Sequence, residues 1–217
     1  MKIEAYLAIL RRRGWIILVT ALVTAMSAFG FSKIQTPVYR SSVRVGIQAA
    51  RIDWGQAQTV KILLDSYVSM MYTRKMAQQV IDDLGLMMSA ETLKGKVKIA
   101  SDSQQMVIQI DVDDTDGEEA NRIAKHWAEL LVQWRNSENQ KQRKEDRVFA
   151  TILEEPTYRL LRPKTKINTA AGFVFGLLLG VVIVIGLEWL EAGLVTTAQE
   201  LERDAGLHIL GIIPPHS

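Results

Sequence analysis

The sequence predicts an α+β domain held between two membrane-spanning helices, and three observations carry that prediction. Two charge-free apolar runs, Gly14–Ser32 and Ile167–Leu187, lie near the two ends of the 217-residue chain. At a helical rise of about 1.5 Å per residue they reach roughly 28 and 31 Å, close to the ~30 Å hydrocarbon thickness of a bilayer. Between them the chain alternates two-residue and three-to-four-residue apolar periods, the marks of strands and helices. The expected layout is a short N-terminal segment at 1–13, a first span at 14–34, an outer α+β domain at 35–166, a second span at 167–187 and a tail at 188–217.

The first element sets the orientation. Arg11, Arg12 and Arg13 sit directly against the first run, and basic residues so placed stay on the cytoplasmic side. With two spans, both termini are then cytoplasmic and the middle lies outside. Arg162, Lys164 and Lys166 precede the second run and acids follow it. This opposes the same rule, but a long translocated loop is largely exempt from it. A cleaved signal peptide is the competing reading of the first run, with Ala25-Met26-Ser27 as its cleavage site. The run continues through Phe29-Gly30-Phe31, as a retained span would. Before it, Ile3, Tyr6, Leu7 and Leu10 repeat at helical spacing, which suits a short helix on the inner membrane surface or an unstructured tail.

In the middle, odd positions from Tyr39 to Ile47 form a mostly apolar face and predict a strand. Residues 56–84 read as one helix, with Ile62, Leu63, Ser66, Tyr67, Met70, Met71, Ala77, Val80 and Ile81 on its stripe and Gly85 as its stop. Val97 and Ile99, then Met106, Ile108, Ile110 and Val112, alternate with polar residues around Asp102-Ser103 and predict a hairpin. A second helix starts at Thr115 or Asp116, where a capping box is available with Glu118 or Glu119, and its seam runs from Ala120 to Trp134. Arg135–Arg147 holds no apolar residue and reads as a solvated helix end or connection. Val148–Leu153 predicts a last strand, and Pro156 and Pro163 punctuate the approach to the second span. Strand, helix, two strands, helix, strand suits helices packed on one face of a sheet.

Composition and motifs exclude several chemistries. Cysteine is absent, which removes disulfides, thiol catalysis and thiolate metal sites. The net charge is +2 and no block is basic enough for nucleic acid. His126, His208 and His216 make no pair with metal-ligand spacing, and His126 reads as a solvent-facing or packing side chain. The acids from Asp111 to Asp116 suggest a calcium loop, but aligning Gly117 with its sixth position puts Val112 and Ile123 where carboxylates are required. Capping and turn chemistry account for these acids. No phosphate-binding glycine motif is present, so neither a metal nor a cofactor is expected. Glu154-Glu155 is the other dense carboxylate pair, a weak basis for a glycan hydrolase.

Gly172, Gly176 and Gly180 lie four residues apart in the second run. They share one helix face, a groove where another helix approaches closely. Two partners suit it: the first span, with its small-residue line Thr20, Thr24 and Ala28, or a neighbouring subunit.

Several segments together resemble the chain-length determinant family, the Wzz-type polysaccharide co-polymerases of bacterial envelopes. They are Leu10-Arg11-Arg12-Arg13-Gly14-Trp15, the Pro37-Val38-Tyr39 start of the outer domain, the Asp116–Ala124 helix opening, and the approach through Pro156, Pro163 and Lys164 to a glycine-rich span. Most specific is the tail Ala198–Pro214, which is similar to the segment joining the second span to a cytoplasmic tyrosine kinase in fused members. The chain stops three residues after Pro214, so the resemblance implies the split form, which recruits a separate kinase. It points to Leu201, Leu207, Leu210, Ile212 and Pro214 as kinase or partner contacts; an amphipathic tail resting on lipid is the plainer reading. No Tyr follows Tyr158, so the family's C-terminal tyrosine cluster is missing. The outer domain is also shorter than the family's long coiled-coil arm.

The resemblance implies a non-catalytic scaffold in the bacterial plasma membrane, acting in surface polysaccharide assembly, chain-length control or export. Its expected partners are further copies of itself, the polysaccharide polymerase or export machinery, a separate tyrosine kinase and membrane lipid, without nucleic acid. The alternative is an extracytoplasmic ligand-sensing module signalling to a separate effector, which requires a buried polar pocket.

Overall fold

The computed structural model describes residues 3–50 and 54–192, arranged as two compact units. Of the described residues, one holds 3–34 and 165–192, and the other is drawn from Gln35–Lys164.

The first unit contains two long helices, α1 (Ile3–Ile34) and α6 (Thr165–Ala192), packed antiparallel along their length. Each holds a stretch long and apolar enough to cross a membrane, Arg11–Ile34 and Thr165–Leu190. Ala21 is fully buried in the seam, and Ala25 and the larger Ile17 nearly so. The outward surface carries Leu18, Leu22, Met26, Phe175, Leu178 and Val182, all exposed. A helix pair in water hides such residues, because each exposed Leu or Phe forfeits about 1.5–3 kcal/mol of burial.

The second unit is an antiparallel sheet with helices on one face. Its strands are β1 (Val38–Ala49), β2 (Val97–Asp102), β3 (Val107–Asp114), β4 (Val148–Ile152) and β5 (Thr157–Arg162). They run in the order β2-β3-β1-β4, and β5 pairs with β1 as well. The long β1 serves two strands on one side: Val45–Ala49 pairs with β4 and Val38–Ser42 with β5. Odd positions of β1 face the helices, with Val43, Val45 and Ile47 buried beside Ile108, Ile110 and Val112 of β3. This inner face packs against α2 (Trp54–Met71) and α5 (Gly117–Gln140), joined by α3 (Arg74–Leu84) and the short α4 (Ala90–Lys96). Trp127 of α5 is the largest fully buried side chain, and its indole N–H donates to the Met71 carbonyl at 3.2 Å.

Several expectations need correction. The single helix at 56–84 is two, because Thr73 adopts an extended backbone and its hydroxyl accepts the Met76 N–H at 3.3 Å, capping a new helix. The buried stripe of α2 is Leu64, Tyr67 and Met71, while Ile62 and Ser66 point outward. Gly85 stops α3 as its periodicity implied, at φ 66°. Helix α4 was not foreseen; Ser89 caps it by accepting the Thr92 N–H at 3.2 Å. Strand β5 fills the stretch between Pro156 and Pro163, which the prolines had suggested was a connection.

A further correction concerns Arg135–Arg147. Helix α5 continues to Gln140, and Arg135 and Asn139 are buried at 3% and 5% exposure. The Asn139 amide holds β4 in place, accepting the Val148 N–H at 3.0 Å and donating to the Val148 carbonyl at 2.9 Å. Arg135 donates to the same carbonyl at 3.3 Å and to Asn139 Oδ1 at 3.1 Å. Its guanidinium lies 5.0 Å from the Tyr67 ring centre and 5.2 Å from that of Trp134. Polarity along the sequence suggested solvent; hydrogen bonds and two aromatic faces make burial affordable.

Candidate helix-packing site and its flanking charges

Each glycine of the α6 face meets α1 of the same chain. A Cβ at Gly172 would lie 2.7 Å from the Ala28 Cβ and 3.0 Å from the Thr24 carbonyl oxygen. At Gly176 it would lie 2.6 Å from the Ala21 Cα and 2.9 Å from the Thr20 carbonyl oxygen, and would overlap the Thr24 hydroxyl. At Gly180 it would lie 2.7 Å from the Ile17 Cα. Of the two partners open to this face, the structure places α1 there. Gly186 and Gly30, by contrast, have open space where a Cβ would sit. Thr20 and Thr24 satisfy their own hydroxyls by donating to the carbonyls of Ile16 at 2.7 Å and Thr20 at 2.9 Å. Both threonine hydroxyls in the seam are therefore paired. Ile17, Ala21 and Ala25 also line it and were not singled out in the sequence; the Ala21/Ala25 spacing of four was the available signal.

The two ends of the helix pair differ in charge. At one end Arg13 is almost buried and its Nε lies 3.9 Å from Glu188, while Arg11 and Arg12 are exposed. Trp15 and Trp189 are exposed at this same end, at 65% and 78%. At the other end the fully buried Ser32 hydroxyl meets Thr165 Oγ1 at 3.3 Å and accepts from the Asn168 amide at 3.1 Å. Lys33 lies in the last turn of α1, and the first turn of α6 has no acid. The proposed partner contacts Leu201, Leu207, Leu210, Ile212 and Pro214 lie outside the described residues.

The α+β unit places the acids that suggested calcium in separate roles. Asp113 takes a two-pronged ion pair from Arg40 across the strands, at 2.5 and 2.6 Å. Asp111 accepts from Ser42 at 2.7 Å and Gln109 at 2.9 Å. Asp116 caps α5, accepting the Glu118 N–H at 2.9 Å. Asp114 is nearly buried and pairs with Lys96 at 2.7 Å. Burial opposes its charge, but the Lys96 ammonium and the backbone N–H groups of Asp116 and Thr115 outweigh that and hold its pKa below the ordinary carboxylate value. His126 ties α5 to α3, with Nε2 2.8 Å from Asp83 Oδ2. Glu155 pairs with Lys125 at 2.9 Å. No group of three or more His, Cys, Asp or Glu is placed to hold a metal among the described residues. Two grooves flank the sheet edges: one of about 350 Å³ between α5 and β4, and one of about 490 Å³ between α2 and β2.

Known sequences resemble this chain in part and over most of its length. Residues 2–84 match the family model Wzz, chain length determinant protein. The chain is 27% identical over 212 residues to capsular polysaccharide biosynthesis protein CpsC of Streptococcus pneumoniae, covering 94% of this chain and 89% of that one. It is 24% identical over 207 residues to the probable capsular polysaccharide biosynthesis protein YwqC of Bacillus subtilis, covering 91% and 81%. The chain is thus similar to the chain length determinant proteins over its first 84 residues and to capsular polysaccharide biosynthesis proteins over most of its length. A third relative, the uncharacterized protein YveK of Bacillus subtilis, is 23% identical over 215 residues, covering 97% and 90%. The family match takes in α1, β1, α2 and α3. The similarity to CpsC, YwqC and YveK covers 91–97% of the chain.

Proposed function

We propose that this chain is a non-catalytic membrane scaffold for surface polysaccharide assembly, acting in capsule or exopolysaccharide chain-length control or export. The observation that carries the reading is the near full-length likeness to two proteins named for capsular polysaccharide biosynthesis, joined to a Wzz match over α1 and the start of the α+β unit. A scaffold acts by geometry, holding copies of a rigid domain at a fixed distance from a bilayer.

In this reading α1 and α6 are the membrane spans, and their exposed apolar flanks face lipid. Arg11, Arg12 and Arg13 favour a cytoplasmic position for that end of the pair, and Trp15 with Trp189 suits the interfacial belt there. Both termini are then cytoplasmic, in the bacterial plasma membrane, and Gln35–Lys164 is outside. Because α1 occupies the glycine face, self-association falls to the surfaces of the α+β unit and the lipid-facing flanks. The polymerase or export machinery is the partner of that assembly, and the tail, through Leu201, Leu207, Leu210, Ile212 and Pro214, couples it to a separate tyrosine kinase. A ligand sensor would instead need an enclosed polar pocket, and the two grooves at the sheet edges are open ones.

The test is deletion and complementation in a capsulated host, reading polymer length on gels. Loss or broadening of the length distribution, restored by the full chain, is expected; an unchanged distribution rejects the reading. Removing residues 197–217 should abolish kinase co-purification, and unchanged recovery rejects the tail assignment alone.

A further inference from the structure

Both edges of the sheet in the α+β unit carry backbone left open at matching places. In β4 the Val148 N–H and carbonyl point away from β1, since the Asn139 amide holds both. Alternation along an antiparallel strand turns the N–H and carbonyl of Ala150 and Ile152 the same way. In β2 the Val97 N–H points away from β3, to the Lys94 carbonyl. Ile99 and Ser101 therefore present their N–H and carbonyl groups to that edge. Among the described residues nothing bonds to the backbone of these four on the open side. Each edge is thus closed at one end and open over two residues, which makes it a template for another strand. The grooves between α5 and β4 and between α2 and β2 lie beside these edges and leave space for a neighbouring backbone.

We propose that β4 of one copy pairs with β2 of the next, so that the sheet continues from copy to copy. This rests on the scaffold reading given above and names its self-association surface. Strand β2 runs parallel to β1, and β4 runs antiparallel to it. A neighbour in the same orientation, with its helices on the same face, therefore sets its β2 antiparallel to β4. The open residues of both strands also turn their side chains to that face. Ala150, Ile152 and Ile99 pack in or against the core, and Ser101 donates to Asp65 of α2 at 2.5 Å. Pleat and hydrogen-bond phase agree. Only one register pairs open with open on both strands, Ile152 with Ile99 and Ala150 with Ser101. It leaves the capped Val148 and Val97 outside the ladder, at its two ends, and brings Lys96 and Lys98 opposite Leu153-Glu154-Glu155. Pairing β2 with β2, or β4 with β4, would use one edge of each copy and leave the other open. Pairing β4 with β2 uses both.

The same register sets Thr151 opposite Ala100 as a non-hydrogen-bonded pair, with Cα atoms about 4.5 Å apart and within disulfide reach. Both residues are exposed. Within one chain they lie on opposite edges, three strand spacings or about 14 Å apart, so a disulfide between them joins two copies. The full cysteine-free chain carrying Ala100→Cys/Thr151→Cys is oxidised in membranes, and its melting temperature under reducing agent checks that the fold is kept. The expected result is a ladder of dimers, trimers and larger species. Its cross-linked share should be at least about tenfold above that of either single variant, or of Ala100→Cys/Gln48→Cys, whose second site is exposed but lies on the central strand β1. Dimers from Thr151→Cys alone would mean β4 on β4, and dimers from Ala100→Cys alone β2 on β2; either overturns the proposal. So does a double variant that cross-links no better than the Gln48 control while the parent chain is oligomeric by light scattering in detergent, and the scaffold reading then stands. A parent chain that is monomeric in membranes, by counting the photobleaching steps of a labelled chain, removes self-association from that reading as well.

Discussion

A single amide secures β4 to α5. Asn139 accepts from and donates to the backbone of Val148 in a buried setting, so Asn139→Ala leaves a strand N–H without its partner. The expected cost is about 2–3 kcal/mol, measured by chemical denaturation followed through tryptophan fluorescence. The corresponding change at the exposed neighbour Ser137 should be near neutral. Asp114 makes a prediction of a different kind. Its pKa is lowered in the folded chain, so its contribution is present above the ordinary carboxylate range and is lost as pH falls through the folded pKa. Lys96→Met should therefore destabilise the chain at neutral pH by about 1–2 kcal/mol, since Lys96 is partly solvated. It should also flatten the stability profile below about pH 4. A variant profile parallel to that of the parent would show that the pair does not act this way.

Among the elements, α6 gives the sharpest contrast, because its glycines are not alike. Gly176 faces the backbone of α1 with no room for a methyl group, and Gly186 faces open space. Gly176→Ala should force the helices apart and cost about 1–3 kcal/mol. Gly186→Ala should be neutral or slightly stabilising through helix propensity. Thermal unfolding of the two variants in detergent separates these outcomes, and equal melting temperatures would show that the close approach contributes nothing. Helices α2 and α3 carry the complementary lesson: one polar residue, Thr73, ends one helix and starts the next, although apolar residues run on at helical spacing across the break.

For the whole molecule, sidedness is the consequence to measure. Met87, between α3 and α4, is fully exposed. In this cysteine-free chain, Met87→Cys should react with a membrane-impermeant maleimide in intact cells, and Lys2→Cys only after permeabilisation. The reverse pattern would invert the orientation and place the α+β unit in the cytoplasm.

Much of the architecture was legible because its signals are local. Charge-free runs of 19 and 21 residues mark the two long helices whatever else folds around them, and alternation along Tyr39–Ile47 and Met106–Val112 marks strands because side chains alternate faces. The glycine spacing, too, announces a close approach without reference to a partner. Tertiary structure decided what these local patterns leave open. It chose α1 as the occupant of the Gly172, Gly176 and Gly180 face. It drew Arg135 and Asn139 into the core, because the chain 9 to 13 residues further on supplies the Val148 backbone that satisfies them. Periodicity reports which residues avoid water, while a buried polar residue is stable only through partners distant in sequence.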